Sequence, residues 1–166
     1  MHYHYVYVTP GQTVHLRSYP ETNTSNVITE LPRGQGVEIL STLSDWREIR
    51  TFDGIDTITG YIDSDFLTTT VLAVDHDEYH IPRYSTPAWK QSNHSGKYYL
   101  PVKRIQEDLM NLDTKYADII EKADGYYGSK TTEAVKEFQK NKNLTVDGVF
   151  GTNSKKALWG MLDLKG

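Results

Sequence analysis

The sequence predicts two modules of different class, an all-β N-terminal part and an all-α C-terminal part. Three observations carry this. Up to residue 74, apolar residues alternate in short runs separated by turn residues. From Leu100 they recur at helical spacing. Between the two, residues 75–99 mix Pro, Ser, Gly and charges without a period, and read as a linker with no regular element of its own. The division expected is therefore 1–74, 75–99 and 100–166.

In the first part VYVTP alternates and breaks at Gly11. Val14, Leu16 and Ser18 alternate again, with Arg17 on the other face. YPETNTSN is a long polar loop. Val27, Ile28 and Leu31 lead to the turn PRGQG, then to the strand VEIL. STLSD turns into WREIR, and Asp53-Gly54 marks a hairpin tip before YID. DSDFL reads as one tight helical turn, and TTTVLAV closes the series. Five or six short strands so closely spaced suggest a small barrel. In the linker Tyr79, Ile81, Tyr84, Trp89, Tyr98 and Tyr99 are able to pack onto either part.

The second part predicts three helices. Val102, Ile105, Leu109 and Leu112 share one face of the first, with Pro101 suited to its start. Ala134, Val135 and Phe138 line the second, and Ala157, Leu158, Met161 and Leu162 the third. Helices this short need one another's apolar stripes, so they form one bundle. Two of them are preceded by the same phrase, DGYYGSKT and DGVFGTNS. Asp124 and Asp147 suit Asx turns, and Gly125, Gly128, Gly148 and Gly151 suit a positive-φ backbone. Tyr127 and Phe150 suit buried plugs, and Thr131 and Ser154 suit helix caps.

Composition narrows the function. With 37% hydrophobic and 24% charged residues the chain has no disordered signature. A net charge of −4 without an evident basic patch argues against nucleic acid. No cysteine is present, which removes disulfides, thiolate zinc sites and a Cys nucleophile. No apolar run is long enough to span a membrane, and no signal-peptide pattern is visible at the start.

VKRIQEDLMNL, followed by DGYYGSKTTEAVKEFQKNKNLTVDGVFGTNSKKALWGML, resembles the peptidoglycan-binding domain found beside bacterial cell-wall hydrolases. The insertion DTKYADIIEKA is longer and more helical than is usual there. VHLRSYPETNTSNVITELPRGQGVEILSTLSDWREIR, with GYIDSDFL, looks like a bacterial SH3-like barrel, with Tyr61 and Tyr19 where Trp and Gly are commoner. The resemblance implies a multidomain chain, an all-β SH3-like barrel plus an all-α three-helix bundle. It implies binding of peptidoglycan or muropeptides at the cell wall or outside the cell, without cofactor, as a monomer alongside a partner hydrolase.

No catalytic constellation emerges. VDHDEYH offers His76 and His80 four apart, but Ile-Pro follows, and a solvated linker is the reading preferred to a zinc-dependent hydrolase. Glu107, Asp108, Glu133 and Glu137 read as exposed helix faces rather than a carboxylate pair. Binding therefore falls to aromatic and polar side chains. These are Tyr19, Trp46 and Tyr61 in the first module, and Tyr126, Gln139, Asn143 and Trp159 in the second. A peptide-binding adaptor, or a structural part of a phage or surface complex, stays open as an alternative.

Overall fold

The computed structural model describes residues 4–70, 84 and 87–165. The chain divides into two compact units, Met1–Asp77 and Glu78–Gly166.

Among the described residues the first unit has seven strands. They are β1 (His4–Val6), β2 (Thr13–Arg17), β3 (Val27–Pro32), β4 (Gly36–Leu43), β5 (Trp46–Phe52), β6 (Thr57–Asp63) and β7 (Leu67–Thr68). They pair antiparallel in the order β3-β2-β6-β5-β4-β1-β7. The two short strands β1 and β7 raise the number above the expected five or six. The sheet curls over one core formed by Val6, Val8, Val14, Leu16, Leu31, Val37, Ile49 and Ile62. It is thus a half-barrel, with β3 and β7 at its two ends. DSDFL does form a single helical turn, Ser64–Phe66, capped by the Asp63 carboxylate, which accepts from the Asp65 amide at 2.9 Å. A second such turn, Thr24–Asn26, lies in the polar loop.

That loop is held from inside. Asn26 is buried, and its amide nitrogen donates to the Glu21 carbonyl at 2.9 Å. Arg17 donates to the Asn23 carbonyl at 2.6 Å and to Asn26 Oδ1 at 3.0 Å. A polar stretch can order when its own side chains supply the backbone's missing partners.

Among the described residues the second unit has α1 (Gln91–His94), α2 (Leu100–Leu112), α3 (Thr114–Ile120), α4 (Ser129–Asn141) and α5 (Thr152–Lys165). Val102, Ile105, Leu109, Ala134, Val135, Phe138 and Leu158 are buried as their spacing predicts. The three-helix expectation is short by α1 and α3, of which α3 fills the long insertion. Asp113 ends α2 and starts α3, its carboxylate accepting from the Lys115 amide at 3.0 Å. Tyr116 of α3 is buried edge-on to Phe138, with ring centroids 6.1 Å apart.

Residue 84 and residues 87–99, read from the sequence as a linker able to pack on either part, fall in the second unit, where Gln91–His94 form α1. Trp89 is fully buried and exchanges both backbone hydrogen bonds with Phe150, at 3.1 and 2.8 Å. Its indole donates to the Tyr84 carbonyl at 2.7 Å. Tyr84 is buried too, and its hydroxyl donates to Asp108 at 2.7 Å. Asp108 and Glu107 are accordingly buried, not on an exposed helix face. The segment lacks periodicity because it packs as an irregular strap, anchored by single large residues. Val74 and VDHDEYH, with His76 and His80, lie outside the described residues.

Two expectations follow. Gly60 sits opposite Ile49 on the inner face of β6. A Cβ there would lie 2.8 Å from the Arg17 carbonyl oxygen and 2.8 Å from Leu16 Cγ. Gly60→Ala should therefore cost about 1–3 kcal/mol by overpacking, seen as a lower urea midpoint for the β unit.

Lys155 is buried, and its ammonium donates to the Pro87 carbonyl at 2.6 Å. Burial pushes its pKa down from 10.5 to about 8. Between these values the unfolded chain holds a proton that the native one lacks, so this group makes stability rise with pH. Thermal melts of the wild type and Lys155→Met from pH 7.5 to 10 should show that rise only in the wild type. Parallel curves would exclude it.

Candidate functional site

The repeated Asp-Gly phrase is built around a residue that precedes it on a helix. Gln106 of α2 is buried, and its amide donates to Asp124 Oδ1 at 3.1 Å, to the Tyr126 carbonyl at 3.0 Å and to Thr131 Oγ1 at 2.8 Å. Its carbonyl accepts from the Gly125 amide at 2.8 Å. Gln139 of α4 does the same for the second loop. It donates to Asp147 Oδ1 at 3.0 Å, to the Val149 carbonyl at 2.9 Å and to Ser154 Oγ at 3.1 Å. It accepts from the Asp147 and Gly148 amides at 3.1 and 3.0 Å. Both Asx turns are present, with Tyr126 and Val149 amides donating to Asp124 and Asp147 at 3.0 and 2.9 Å.

Two details differ from the sequence expectation. Gly125 and Gly148 have φ of +81° and +74°, but Gly128 is at −92° and Gly151 is not among the positive-φ glycines. Thr131 and Ser154 do not cap their helices. They are buried inside the first turn and receive the glutamine amide instead. Tyr127 and Phe150 are fully buried plugs as expected. The Tyr127 hydroxyl donates to the Gly148 carbonyl at 2.7 Å, so the first loop pins the second. Burial, aided by the nearby Asp147 charge, raises the Tyr127 pKa and keeps it a neutral donor.

The seven candidate contact residues sort by exposure. Tyr126 is 43% exposed and meets the Tyr98 ring edge-on at 6.3 Å. The Tyr98 ring lies directly over Gly125, where a Cβ would come within 2.4 Å of it. Gln139 forms the floor of a shallow cleft of about 240 Å³, walled by Leu144, Thr145, Asp147 and Asn153. Its own donors and acceptors are spent on the loop. Asn143 is exposed, but its φ of +56° ends α4. The Asn143 amide donates to Lys140 and the Leu144 amide to Gln139, the pairing of a Schellman motif. Trp159 is half-buried on α5.

In the β unit Tyr19 is 59% exposed in the polar loop. Trp46 and Tyr61 are half-buried. Trp46 pairs with Asp63, while Tyr61 pairs with Glu48 and Arg17, so these side chains share the sheet face opposite the core. Trp46 lines a cleft of about 260 Å³ with His15, Arg17, Thr22, Asp63 and Phe66.

Residues 12–68 match the family model of the bacterial SH3 domain, and residues 100–158 match that of the peptidoglycan binding domain. The chain thus carries a region that matches bacterial SH3 domains, followed by one that matches peptidoglycan binding domains. Both are binding modules. Over 64 residues it is also 44% identical to the N-acetylmuramoyl-L-alanine amidase CwlL of Bacillus licheniformis. That stretch is 37% of this chain and 18% of the amidase, so the chain spans less than a fifth of that relative's length. The strap with Tyr84, Trp89 and Tyr98 precedes the matched part of the peptidoglycan binding domain, yet it packs on both Asp-Gly loops. Besides Phe150, it bonds Tyr127 through the His94 carbonyl at 3.3 Å and Gly125 through the Tyr99 amide at 2.9 Å.

Sequence reasoning missed Gln106 and Phe66. Gln106 was detectable, since an apolar-Gln pair, Ile105-Gln106 or Phe138-Gln139, precedes each Asp-Gly loop. Phe66 carried no signal, because a lone aromatic in a turn has no period.

Removing either glutamine strands several buried groups. Gln106→Ala and Gln139→Ala should each destabilise the helical unit by about 3 kcal/mol. Gln139→Glu should be as damaging at pH 7, where a carboxylate would face Asp147, and milder at pH 4. Chemical denaturation at both pH values checks this; a neutral Gln139→Ala would remove the amide from its central place.

Proposed function

We propose that this chain binds the bacterial cell wall without acting on it, using both modules, and so holds a hydrolytic partner at its substrate. The tandem of a bacterial SH3 domain and a peptidoglycan binding domain is the observation that carries this. The resemblance of one stretch to an amidase of the cell wall supports a hydrolase as the associated activity. The place of action is the cell wall or its extracellular face, and the working unit is a monomer.

Within the helical module Tyr126 is the principal contact. It projects from a loop whose backbone is fixed by Gln106, and an aromatic ring on a rigid support can meet a sugar's apolar face at little entropic cost. Trp159 is a secondary contact. In the β module Tyr19, Trp46 and Tyr61 serve as contacts. The helical module begins near Tyr84, not Leu100, because Tyr84 and Trp89 complete its core.

Co-sedimentation of the full chain with purified sacculi tests the reading. The wild type should pellet with the walls, and Tyr126→Ala should pellet less while melting at nearly the same temperature. No reducing sugar or free amine should appear during the incubation. A wild type that stays in the supernatant would overturn wall binding, and release of wall fragments would overturn the non-catalytic role.

A further inference from the structure

We infer that Asp53, at the tip of the β5–β6 hairpin, is a site of spontaneous covalent modification. Its bond to Gly54 rearranges through a cyclic imide to an isoaspartyl link. The same dipeptide at Asp124-Gly125 and Asp147-Gly148 is shielded from this reaction by the glutamines that hold those loops.

The chain contains three Asp-Gly pairs. Glycine after aspartate favours ring closure, because no Cβ hinders the approach of its nitrogen to the side-chain carbon. The three carboxylates are alike. On each, Oδ1 accepts two N–H groups. Asp53 receives the Ile55 and Asp56 amides at 2.8 and 2.7 Å. Asp124 receives the Tyr126 amide at 3.0 Å and the Gln106 side chain at 3.1 Å. Asp147 receives the Val149 amide at 2.9 Å and the Gln139 side chain at 3.0 Å. The three glycines are alike in φ as well, at +105°, +81° and +74°.

What separates the sites is the glycine nitrogen, which is the nucleophile. The Gly125 and Gly148 amides are buried and donate to the carbonyls of Gln106 and Gln139 at 2.8 and 3.0 Å. Water does not reach their protons, and freeing either nitrogen would strand a buried glutamine carbonyl. Room is lacking too. A Cβ at Gly125 would lie 2.4 Å from the Tyr98 ring, and one at Gly148 would lie 2.7 Å from Thr132 Cγ2. Around Gly54 nothing lies within 4 Å of such a Cβ. Gly54 is exposed, and its amide has no hydrogen-bond partner among the described residues.

The reaction needs water alone. The Gly54 nitrogen loses its proton and attacks the side-chain carbon of Asp53. A C–N bond forms, and Oδ2 of the protonated carboxyl group leaves as water. Oδ1 remains as the imide carbonyl, and the two N–H groups that face it stabilise the negative charge that develops there. A water molecule then opens the imide. Attack at the main-chain carbon leaves Gly54 bonded through the former side chain, so the backbone gains one methylene and a free carboxylate. Attack at the side-chain carbon restores aspartate. Phe52 and Thr57 pair behind the tip, so the strands stay joined while the presentation of Ile55, 77% exposed, changes.

The test is ageing of the full chain in warm, mildly acidic buffer, both native and unfolded in urea. Isoaspartate is then located by mass spectrometry with electron-transfer fragmentation. In the native chain it should accumulate at Asp53 at least about tenfold faster than at Asp124 or Asp147, with a transient species one water lighter. In urea the three sites should react at similar rates. Asp53→Ser, which keeps an oxygen for the turn, should remove the native signal at nearly unchanged melting temperature. Equal native rates at the three sites would overturn the inference, as would an Asp53 that reacts only in urea. A contrast that persisted in urea would trace it to local sequence instead of the glutamines, and would overturn it too.

Discussion

In the helical unit two side-chain amides, those of Gln106 and Gln139, do what no loop backbone can do for itself. Each Asp-Gly loop leaves the protein surface, reverses and enters a helix, so its amides and carbonyls point inward with no regular partner. A buried group there must donate and accept at once, and it must be neutral. Glutamine meets all three demands and has the reach to do so from a neighbouring helix. Glutamate has no proton to give at neutral pH, and asparagine is a methylene shorter. Once the amide is in place, the remaining geometry follows. The glycine takes positive φ, the aspartate closes its Asx turn, the plug aromatic enters the core and the hydroxyl of the next helix turn accepts the last amide proton. Because the Tyr127 hydroxyl also binds the Gly148 carbonyl, the two loops are parts of one assembly.

The β unit applies the same logic with different chemistry. Its polar loop would be floppy by composition, yet Asn26 and Arg17 hold it through carbonyls that would otherwise face water. The surface that results is stiff where side chains are offered. Tyr126 on the first Asp-Gly loop, and Phe66 on its capped turn, are both exposed aromatics on backbone fixed from behind. Exposure of a large ring costs solvation, and these two rings are not paid for by any core they join. That supports a role outside the fold.

Periodic features were legible in the sequence. Alternation located β2, short runs between turn residues located β3, β4, β5 and β6, and helical spacing located α2, α4 and the start of α5 with their buried faces. The Asp-Gly phrases gave the Asx turns and the plugs, and the DSDFL turn was readable from its aspartate. What stayed hidden was held by single contacts without a period. Trp89 and Tyr84 are buried by one bridge and two hydrogen bonds, and no window of composition distinguishes such a strap from a linker. Thr131 and Ser154 look like caps because the same hydroxyl serves a cap or an inward bond, and only the third dimension decides. Exposure of Tyr19 and Tyr126 was foreseeable from their neighbours. The burial of Gln139 was not, because glutamine is usually a surface residue.

The strap also has a mechanical meaning. Any pull applied to the chain from its N-terminal side is carried by the backbone. Tension arriving from the upstream side meets Tyr84 and Trp89 before it reaches α2. There the load falls on the two opposed backbone bonds between Trp89 and Phe150, on the indole bond to Tyr84 and on the Tyr84–Asp108 bond. Phe150 lies on the second Asp-Gly loop, so force is shared directly with the far end of the domain instead of peeling the first helix away. A tether joined at Leu100 would have no such grip. By entering through a buried tryptophan, the chain gives its helical domain a point of attachment that resists traction.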